Sequence, residues 1–509
     1  MDAQPLQTLL SDLHFDSIGS NADPAIHAVT IDSRKVAPGT LFVACPGATP
    51  ASRDGHDFIP QALARGASAL VVESVDKVQA LGVDLTTLPC VVVDDARLAI
   101  AVLAEKLQGV PSAALRVLGV TGTNGKSTVT FLLASALDAM KRRAAVFGTL
   151  GAGSFRAPRA FGFTTPEAEV LSGELARLRI EGFSDVAMEV SSHALATARV
   201  AGVSFAAAAF TNLSQEHLDF HADMQAYFEA KAKLFESNAA GTMAKILPAS
   251  ADVWAETLRA RHPDALTWGT EDDADVRALE VESASFGLRF TLAYREKSAQ
   301  VESQLLGAIN LENLLCAGAV LLALGYDLDE VAAGLSVAET APGRLQRVSK
   351  ERPNQPLVIV DYAHTPDALA RALATVRSLQ DGKVAVVFGC GGERDTAKRP
   401  LMAKAASTLA DLVVLTNDNP RNEDPESILD EIEAGIEGLQ ATSLDAVQIG
   451  AYAREPDRRA AIAGILKVLG PTDTLLIAGK GHEKTQSVGG QVLPFDDVEV
   501  ASSLLGDVA

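Results

Sequence analysis

Residues 121 to 128 read Thr-Gly-Thr-Asn-Gly-Lys-Ser-Thr, after a largely apolar run from Leu115 to Val120 and before a helical pattern from Val129 to Leu137. A strand, a glycine loop and a helix in that order point to a wound α/β sheet, with the loop cradling phosphate at the carboxyl end of the strand. The two glycines let backbone N–H groups close on an anion, the helix N-terminus adds roughly half a positive charge, and Lys126 adds a full one. Ser127 or Thr128 can offer a hydroxyl to Mg²⁺. The strict phosphate-loop pattern asks for Gly five places before Gly125, where Val120 stands, so the loop is a variant with Gly122 as its first glycine. The competing reading is a plain strand-to-helix turn.

A chain of 509 residues has room for about three domains. Apolar residues make up 48% and aromatics only 5%, a balance that suits parallel sheets flanked by helices rich in small residues. Residues 1–110 carry short strands around Leu41–Ala44, Ala69–Val72 and Cys90–Val93 and read as a small N-terminal α/β domain. Residues 111–342 alternate strands with helices, which predicts a central phosphate-loop-type, doubly wound, mainly parallel sheet. The polar stretch from 245 to 305 is expected to be an antiparallel edge. Pro342-Gly343 reads as a hinge into residues 343–509, where strands at Leu357–Val360, Val384–Phe388, Leu412–Leu415 and Thr474–Ile477 predict a Rossmann-like doubly wound sheet.

The formal charge of −21 argues against nucleic acid or an acidic membrane as a partner, because those demand basic patches. No apolar run reaches membrane-spanning length and the N-terminus lacks a signal-peptide pattern, so a cytoplasmic protein without membrane insertion is expected, and a monomer. Cys45, Cys90, Cys316 and Cys390 are widely spaced, which predicts buried free thiols rather than a zinc site or disulfides.

Several polar clusters follow apolar strands. Glu189 ends Val186–Glu189 and is either a Mg²⁺ ligand or a helix-cap acid; Ser191 and His193, just after it, either touch phosphate or satisfy the turn. Asn212, His217, Asp219 and His221 crowd the end of the next strand, as a second divalent ion would require, although His221 alone reads as a solvated loop residue. Lys231 and Lys233, read alone, are exposed helix charges. Asn310 and Asn313 share a helix face and match either an adenine edge or a helix cap. Four further strand ends, near Asp361, Gly389–Asp395, Thr416–Pro425 and Gly479–Glu483, carry polar residues and mark a ligand-binding rim.

In this order, the Thr-Gly-Thr-Asn-Gly-Lys core, Glu-Val-Ser-Ser-His from 189, Thr-Asn-Leu-Ser-x-x-His-Leu-Asp from 211, Tyr-Phe-Glu-Ala-Lys from 227, Pro-Gly-Arg from 342 and Asp-Tyr-Ala-His-Thr-Pro-Asp-Ala-Leu from 361 resemble the Mur ligases, ATP-dependent amide-forming enzymes of peptidoglycan synthesis. The match spans all three expected domains. The branch most resembled joins meso-2,6-diaminopimelate to UDP-MurNAc-L-Ala-D-Glu. The resemblance implies ATP, two Mg²⁺ ions and a CO₂-derived carbamate on Lys231, which reverses the reading of that lysine as an exposed charge. It implies Lys126, His217 and Lys231 as catalytic, and Ser127, Glu189, His217 and carbamylated Lys231 as metal ligands. It also implies Gly122, Thr123, Asn124, Gly125, Lys126, Ser127, Thr128, Asn310, Arg344 and Asp361 as ATP contacts.

For the UDP-linked dipeptide the resemblance implies Ile31, Ser33, Thr164, Thr165, Ser191, Thr197 and Arg199. Here the chain departs from the family at Phe163, where some members have Asn, at Thr197, where others have Gln, and in a longer loop over 47–55. For diaminopimelate it implies Arg394, Asp418, Asn419, Pro420, Arg421, Gly479 and Glu483. Diaminopimelate differs from lysine by a far carboxylate, which a guanidinium grips bidentately, so Arg421 is expected to select it. The expected reaction phosphorylates the D-glutamyl γ-carboxylate and lets the amine attack the acyl phosphate, with third-domain closure about Pro342-Gly343. A lysine-adding member of the family, and a non-catalytic ATP-binding protein, are the alternatives.

Overall fold

The computed structural model describes residues 3–47, 52–216, 218, 220–236, 243–349 and 354–507. The chain packs as two compact units, Met1–Val276 with Cys316–Asp327, and Arg277–Leu315 with Leu328–Ala509. Together they hold three parallel-dominated sheets, the α/β class expected from the alternating pattern.

The first unit contains two of these sheets. Five strands, in the order Asp16–Ser17, Cys90–Val92, Ala69–Val72, Thr40–Val43 and Ala28–Thr30, pair in parallel except at the first. In this unit the second sheet runs Gly151–Ser154, Ala144–Gly148, Asp185–Glu189, Arg116–Thr121, Phe205–Phe210, Ala244–Pro248 and Leu266–Gly269, and of these strands only the Gly151–Ser154 edge is antiparallel. From Arg116–Thr121 the chain crosses to Ala144–Gly148, returns to Asp185–Glu189 between them, and then crosses to Phe205–Phe210 on the other side. The winding therefore reverses at the carboxyl end of Arg116–Thr121, which is where an open α/β sheet leaves its ligand crevice.

Helix Lys126–Ala139 starts at that point. Its Ala and Leu content favours helix, and it is buried continuously from Ser127 to Leu137. It ends where Lys141 takes φ +63° and the Arg142 N–H reaches back to the Leu137 carbonyl at 2.9 Å, a left-handed cap. Phe147, Leu171, Leu175, Met188, Phe205 and Phe210 pack the core on one face of this sheet. Side chains of that size contribute about 1.5–3 kcal/mol each when fully buried. Helix Ala96–Leu107 packs on Ala168–Ile180, and Ala168 joins the core of the smaller sheet, so the two sheets are fastened together.

The antiparallel edge expected over 245–305 is confined to its last part. Ala244–Pro248 and Leu266–Gly269 are a parallel pair joined by helix Val253–Arg261, whose first turn is capped by Asp252. Only Ala255 and Leu258 of this helix are buried, so its apolar period is weak in the sequence. The antiparallel hairpin is Gly287–Tyr294 with Lys297–Ser303 in the second unit.

The second unit's main sheet has seven strands in the order Gln346–Arg347, Leu357–Asp361, Thr474–Ala478, Val384–Phe388, Leu412–Leu415, Ala451–Arg454 and Gln440–Thr442, all parallel but the first. Apolar clusters cover both faces, led by Ile359, Val386, Phe388 and Leu476 on one and Val358, Val387, Val414 and Ile477 on the other. An antiparallel hairpin, Thr485–Val488 with Gln491–Pro494, follows the strand Thr474–Ala478. The four cysteines are buried free thiols, as expected. No helix among the described residues is long and apolar enough to cross a membrane.

Candidate active site

The phosphate loop is shaped by clearance as much as by charge. Gly122 has φ +145°, and a Cβ there would lie 1.9 Å from the Thr211 hydroxyl oxygen. Any other residue would push the loop off the neighbouring strand end. Gly125, at φ +87°, opens helix Lys126–Ala139 with no side-chain cap, so the N–H groups of the first turn are directed at the loop's concavity. The loop's outer side is held by the segment after Phe205–Phe210. The Thr123 N–H donates to the Asn212 carbonyl (2.8 Å), the Asn124 N–H to Asn212 Oδ1 (3.0 Å), and the Thr211 hydroxyl to the Asn124 carbonyl (2.6 Å). Thr211 and Asn212 therefore hold the loop. Lys126 Nζ donates to the carbonyls of Gly122 (3.0 Å) and Thr123 (2.8 Å), while Ser127 and Thr128 sit buried in the first helical turn.

Glu189 lies one strand away, in register with Val120, and is 2% exposed. Its carboxylate accepts from the Thr149 N–H (2.9 Å) and hydroxyl (3.2 Å), so it does not cap a helix. Gly148 makes room for it, since a Cβ there would stand 2.2 Å from Glu189 Oε1.

Lys231 is 1% exposed on helix Met224–Glu236, whereas Lys233 is exposed. Its Nζ donates to the Gly122 carbonyl at 2.7 Å and lies 4.5 Å from the Tyr227 ring centre. Burial, with Lys126 nearby, holds its pKa well below the ordinary lysine value, so the neutral amine is favoured. The isolated reading of Lys231 as an exposed charge is thus corrected: the helix turns this lysine beneath the phosphate loop and Lys233 to solvent. His221 is likewise not a solvated loop residue; it is 6% exposed, its Nε2 lies 3.0 Å from the Ser192 hydroxyl, and it stacks near Tyr227. His217 and Asp219 lie outside the described residues. Among the described ones, no group of three His, Cys, Asp or Glu side chains could hold a metal ion.

A cavity of about 830 Å³ opens where the two sheets of the first unit meet, walled by Ile31, Ser33, Arg34, Phe161, Phe163 and Arg199 among others. The Ser33 hydroxyl donates to Gln61 Oε1 (2.7 Å). Arg199 donates to the Thr165 carbonyl (3.0 Å), pairs with Glu167 (2.7 Å), and its buried Nε has no partner among the described residues. Thr165 ties this wall to Glu189: its hydroxyl donates to the Glu189 carbonyl (2.9 Å) and accepts from the Ser191 N–H (3.2 Å). Thr164 lies 3.0 Å from the Thr149 hydroxyl. Two expected contacts serve the backbone here, because the Ser191 hydroxyl caps helix Ser192–Ala196 and the Thr197 hydroxyl donates to the His193 carbonyl (2.7 Å). The loop expected over 47–55 is described only at Gly47 and from Ser52 onward.

In the second unit, Asn310 is 2% exposed and spends its amide on the Leu306 carbonyl (3.0 Å) and Asn313 (3.2 Å). Asp361 accepts from the N–H groups of Leu345 (2.7 Å) and Ala363 (2.8 Å). Burial raises its pKa, against the pull of Arg344. Arg344 lies over the Tyr362 ring, 4.8 Å from its centre. The segment expected as a hinge is seated on the loop after Thr474–Ala478: a Cβ on Gly343 would lie 2.1 Å from the Gly481 carbonyl carbon.

The expected amino-acid contacts do converge. Asn419 Nδ2 donates to Glu483 (2.7 Å) and Asp418 (3.0 Å), and Gly479, at φ +112°, leaves room for Asp418. Burial raises the Asp418 pKa, with Arg458 and Lys480 opposing. Pro420 is buried between Asn419 and Arg421. Arg421 adopts φ +56°, donates from its backbone to the Ser487 carbonyl (2.9 Å), and from its guanidinium to the Gly392 carbonyl (2.6 Å). Arg394 is exposed on the loop that begins at Gly389.

Three fully buried charges stand behind this rim: Arg399 and Lys480, which lie within its sequence-predicted stretches, and Arg458, which does not. Arg399 pairs with Glu423 (2.6 Å) and also reaches the Gly391 carbonyl (3.3 Å). Arg458 pairs with Asp497 (2.7 Å) and donates to the Ala478 carbonyl (2.9 Å). Lys480 contacts Asn419 and Glu483. In sequence Lys480 stands out between two glycines and Arg399 follows a rim strand, whereas Arg458 looks like an ordinary helix charge.

Comparison with known proteins follows the same order along the chain. Family models match in succession: Mur ligase family, catalytic domain, over residues 25–114; Mur ligase middle domain over 120–321; and Mur ligase, glutamate ligase domain, over 343–481. A UDP-N-acetylmuramoyl-L-alanyl-D-glutamate–2,6-diaminopimelate ligase of Geobacillus kaustophilus (strain HTA426) is 40% identical over 505 residues, spanning 97% of this chain and 98% of the relative. The protein of the same name from Pseudomonas putida is 40% identical over 497 residues, 96% of each chain. A solved structure of a ligase with that name superposes with a TM-score of 0.71 at 32% identity over 99% of both chains.

Proposed function

The chain belongs to the Mur ligase family, and from that premise we propose that it joins meso-2,6-diaminopimelate to the D-glutamyl γ-carboxylate of UDP-MurNAc-L-Ala-D-Glu, using ATP, in peptidoglycan precursor synthesis. The observation that carries this reading is end-to-end similarity, at 40% identity, to ligases named for those substrates. The Asp418–Arg421 cluster, with its fixed guanidinium, agrees with it. The working divisions are domains 1–110, 111–342 and 343–509, in a monomeric cytoplasmic enzyme.

A carboxylate is a poor acyl donor because its leaving group would be oxide. Transfer of the ATP γ-phosphoryl group to a γ-carboxylate oxygen gives an acyl phosphate and ADP. The neutral amine of diaminopimelate then attacks the acyl carbon, and the tetrahedral intermediate expels phosphate as the amide forms. Lys126 and the N–H groups of the first helical turn offset charge on the transferring phosphoryl group. Ser33, Thr164, Thr165, Ser191, Thr197 and Arg199 line or brace the path of the UDP-linked dipeptide, with Ile31 at the uridine end. Asn310, Arg344 and Asp361 contact ATP.

Mg²⁺ suits the oxygen donors Glu189, beside which Gly148 leaves clearance, and Ser127, with His217 as a nitrogen ligand that the family resemblance adds. When bound, the ions neutralise phosphate charge. Lys231 joins that set as a carbamate. Burial lowers its pKa, which favours the neutral amine that adds to CO₂, forming an N–C bond and losing one proton to give an anion. Incubation with ATP, Mg²⁺, UDP-MurNAc-L-Ala-D-Glu and meso-diaminopimelate should yield one ADP per UDP-MurNAc-tripeptide, identified by mass. No ATP cleavage under those conditions would leave only a nucleotide-binding protein.

A further inference from the structure

The side chain that organises the amino-acid rim is one that no substrate would touch. Lys480 is fully buried between Gly479 and Gly481, at the turn that follows strand Thr474–Ala478. Its ammonium has three donors and each has a partner: the Thr485 carbonyl at 2.7 Å, Glu483 Oε2 at 3.2 Å and Asn419 Oδ1 at 3.3 Å. Asp418 stands 3.9 Å away.

The contact with Asn419 has a directional consequence. A lysine can only donate, so it holds the amide oxygen of Asn419 toward itself, and the Ser487 N–H adds a second bond to that oxygen at 2.9 Å. The amide N–H₂ is thereby forced to the other side, where it donates to Asp418 and Glu483. On Glu483, both the lysine and the asparagine fall on Oε2, and among the described residues no hydrogen bond falls on Oε1. One carboxylate oxygen is thus anchored while its twin is kept for an incoming ammonium group. The same lysine holds the start of hairpin Thr485–Val488, whose Ser487 carbonyl accepts from the backbone of Arg421.

We infer that Lys480 is a positioning residue for the amino-acid substrate: it fixes the amide direction of Asn419, the free oxygen of Glu483 and, through the hairpin, the backbone of Arg421. It touches no reacting atom. The inference rests on the amino-acid site assigned above, and the experiment separates the two.

Steady-state kinetics of wild type, Lys480→Met and Lys480→Gln would be measured with each substrate varied in turn. Methionine keeps the volume and removes the three donors; glutamine restores two on a shorter stem and stands in if the first variant is recovered unfolded. For Lys480→Met, the KM for meso-diaminopimelate rises about tenfold or more, while the KM values for ATP and UDP-MurNAc-L-Ala-D-Glu stay within about twofold. Lys480→Gln falls between. In a Glu483→Gln background the further effect of Lys480→Met shrinks, because the two act through one contact. An active wild type whose lysine variants keep the diaminopimelate KM, or raise all three KM values together, overturns the inference alone. A wild type with no diaminopimelate-dependent turnover overturns the functional reading, and the inference with it.

Discussion

The phosphate loop and the amino-acid rim are both built at strand carboxyl ends, but from different material. The loop is made of backbone: glycines at 122 and 125 allow close approach, Thr211 and Asn212 brace it from the next strand, and one helix start supplies the field. The rim is made of side chains, with Asn419, Glu483, Asp418 and Arg421 held by Lys480, and with Arg399 and Arg458 tying down the loops that carry them. A backbone site tolerates few residue types and recognises what all nucleotides share. A side-chain site can be retuned by one substitution, and that suits the part of the molecule that must tell one amino acid from another.

If this contrast is right, damage to the loop should abolish chemistry and damage to the rim should redirect it. Lys126→Ala removes the one full charge at the loop and should lower kcat on the order of 10³-fold, read as phosphate release, with every amino acid tested alike. Arg421→Ala should lower kcat/KM for meso-diaminopimelate about 100-fold and leave the KM for ATP unchanged, so a uniform loss across substrates would break the comparison. Gly148→Ala presses a methyl group on Glu189 and should raise the Mg²⁺ concentration for half-maximal rate about tenfold, checked by Mg²⁺ titration at saturating substrates.

The smallest effect concerns the scaffold rather than either site. Burial pushes the Glu105 carboxyl, on the helix that fastens the first unit's two sheets, up to about 7 from 4.5, with Ser112 and Arg179 pulling the other way. The folded state then binds more protons than the unfolded one across that window, so stability falls as pH rises from 4.5 to about 7. Glu105→Gln should flatten that decline and stabilise the protein at pH ~8 by about 3 kcal/mol at most, seen as a higher melting temperature with unchanged kcat.

The same contrast explains what could be read from the sequence. Glycine spacing between a strand and a helix encodes the loop locally, and the strand pattern gave the three parallel sheets. Lys231 could not be placed from helix position alone, because its burial depends on the phosphate loop more than a hundred residues earlier in the chain; only the resemblance to a family marked it out. The supports of the rim were hidden for the same reason: Lys480 and Asn419 meet across 61 positions, and Arg458 and Asp497 across 39. Ser191 and Thr197 carry a second role that pattern does not show, since they also satisfy the first and last turns of a short helix. Helix Val253–Arg261 was missed because its polar face broke the apolar period.

The central claim is that the loop drives a reaction whose amine is chosen at the rim. It is tested most directly by the ratio of kcat/KM for meso-diaminopimelate to that for L-lysine, with ATP and UDP-MurNAc-L-Ala-D-Glu saturating. Arg421 beside the Asn419–Glu483–Lys480 network predicts a ratio of about 10³ or greater. A ratio near one, or one favouring lysine, would contradict it.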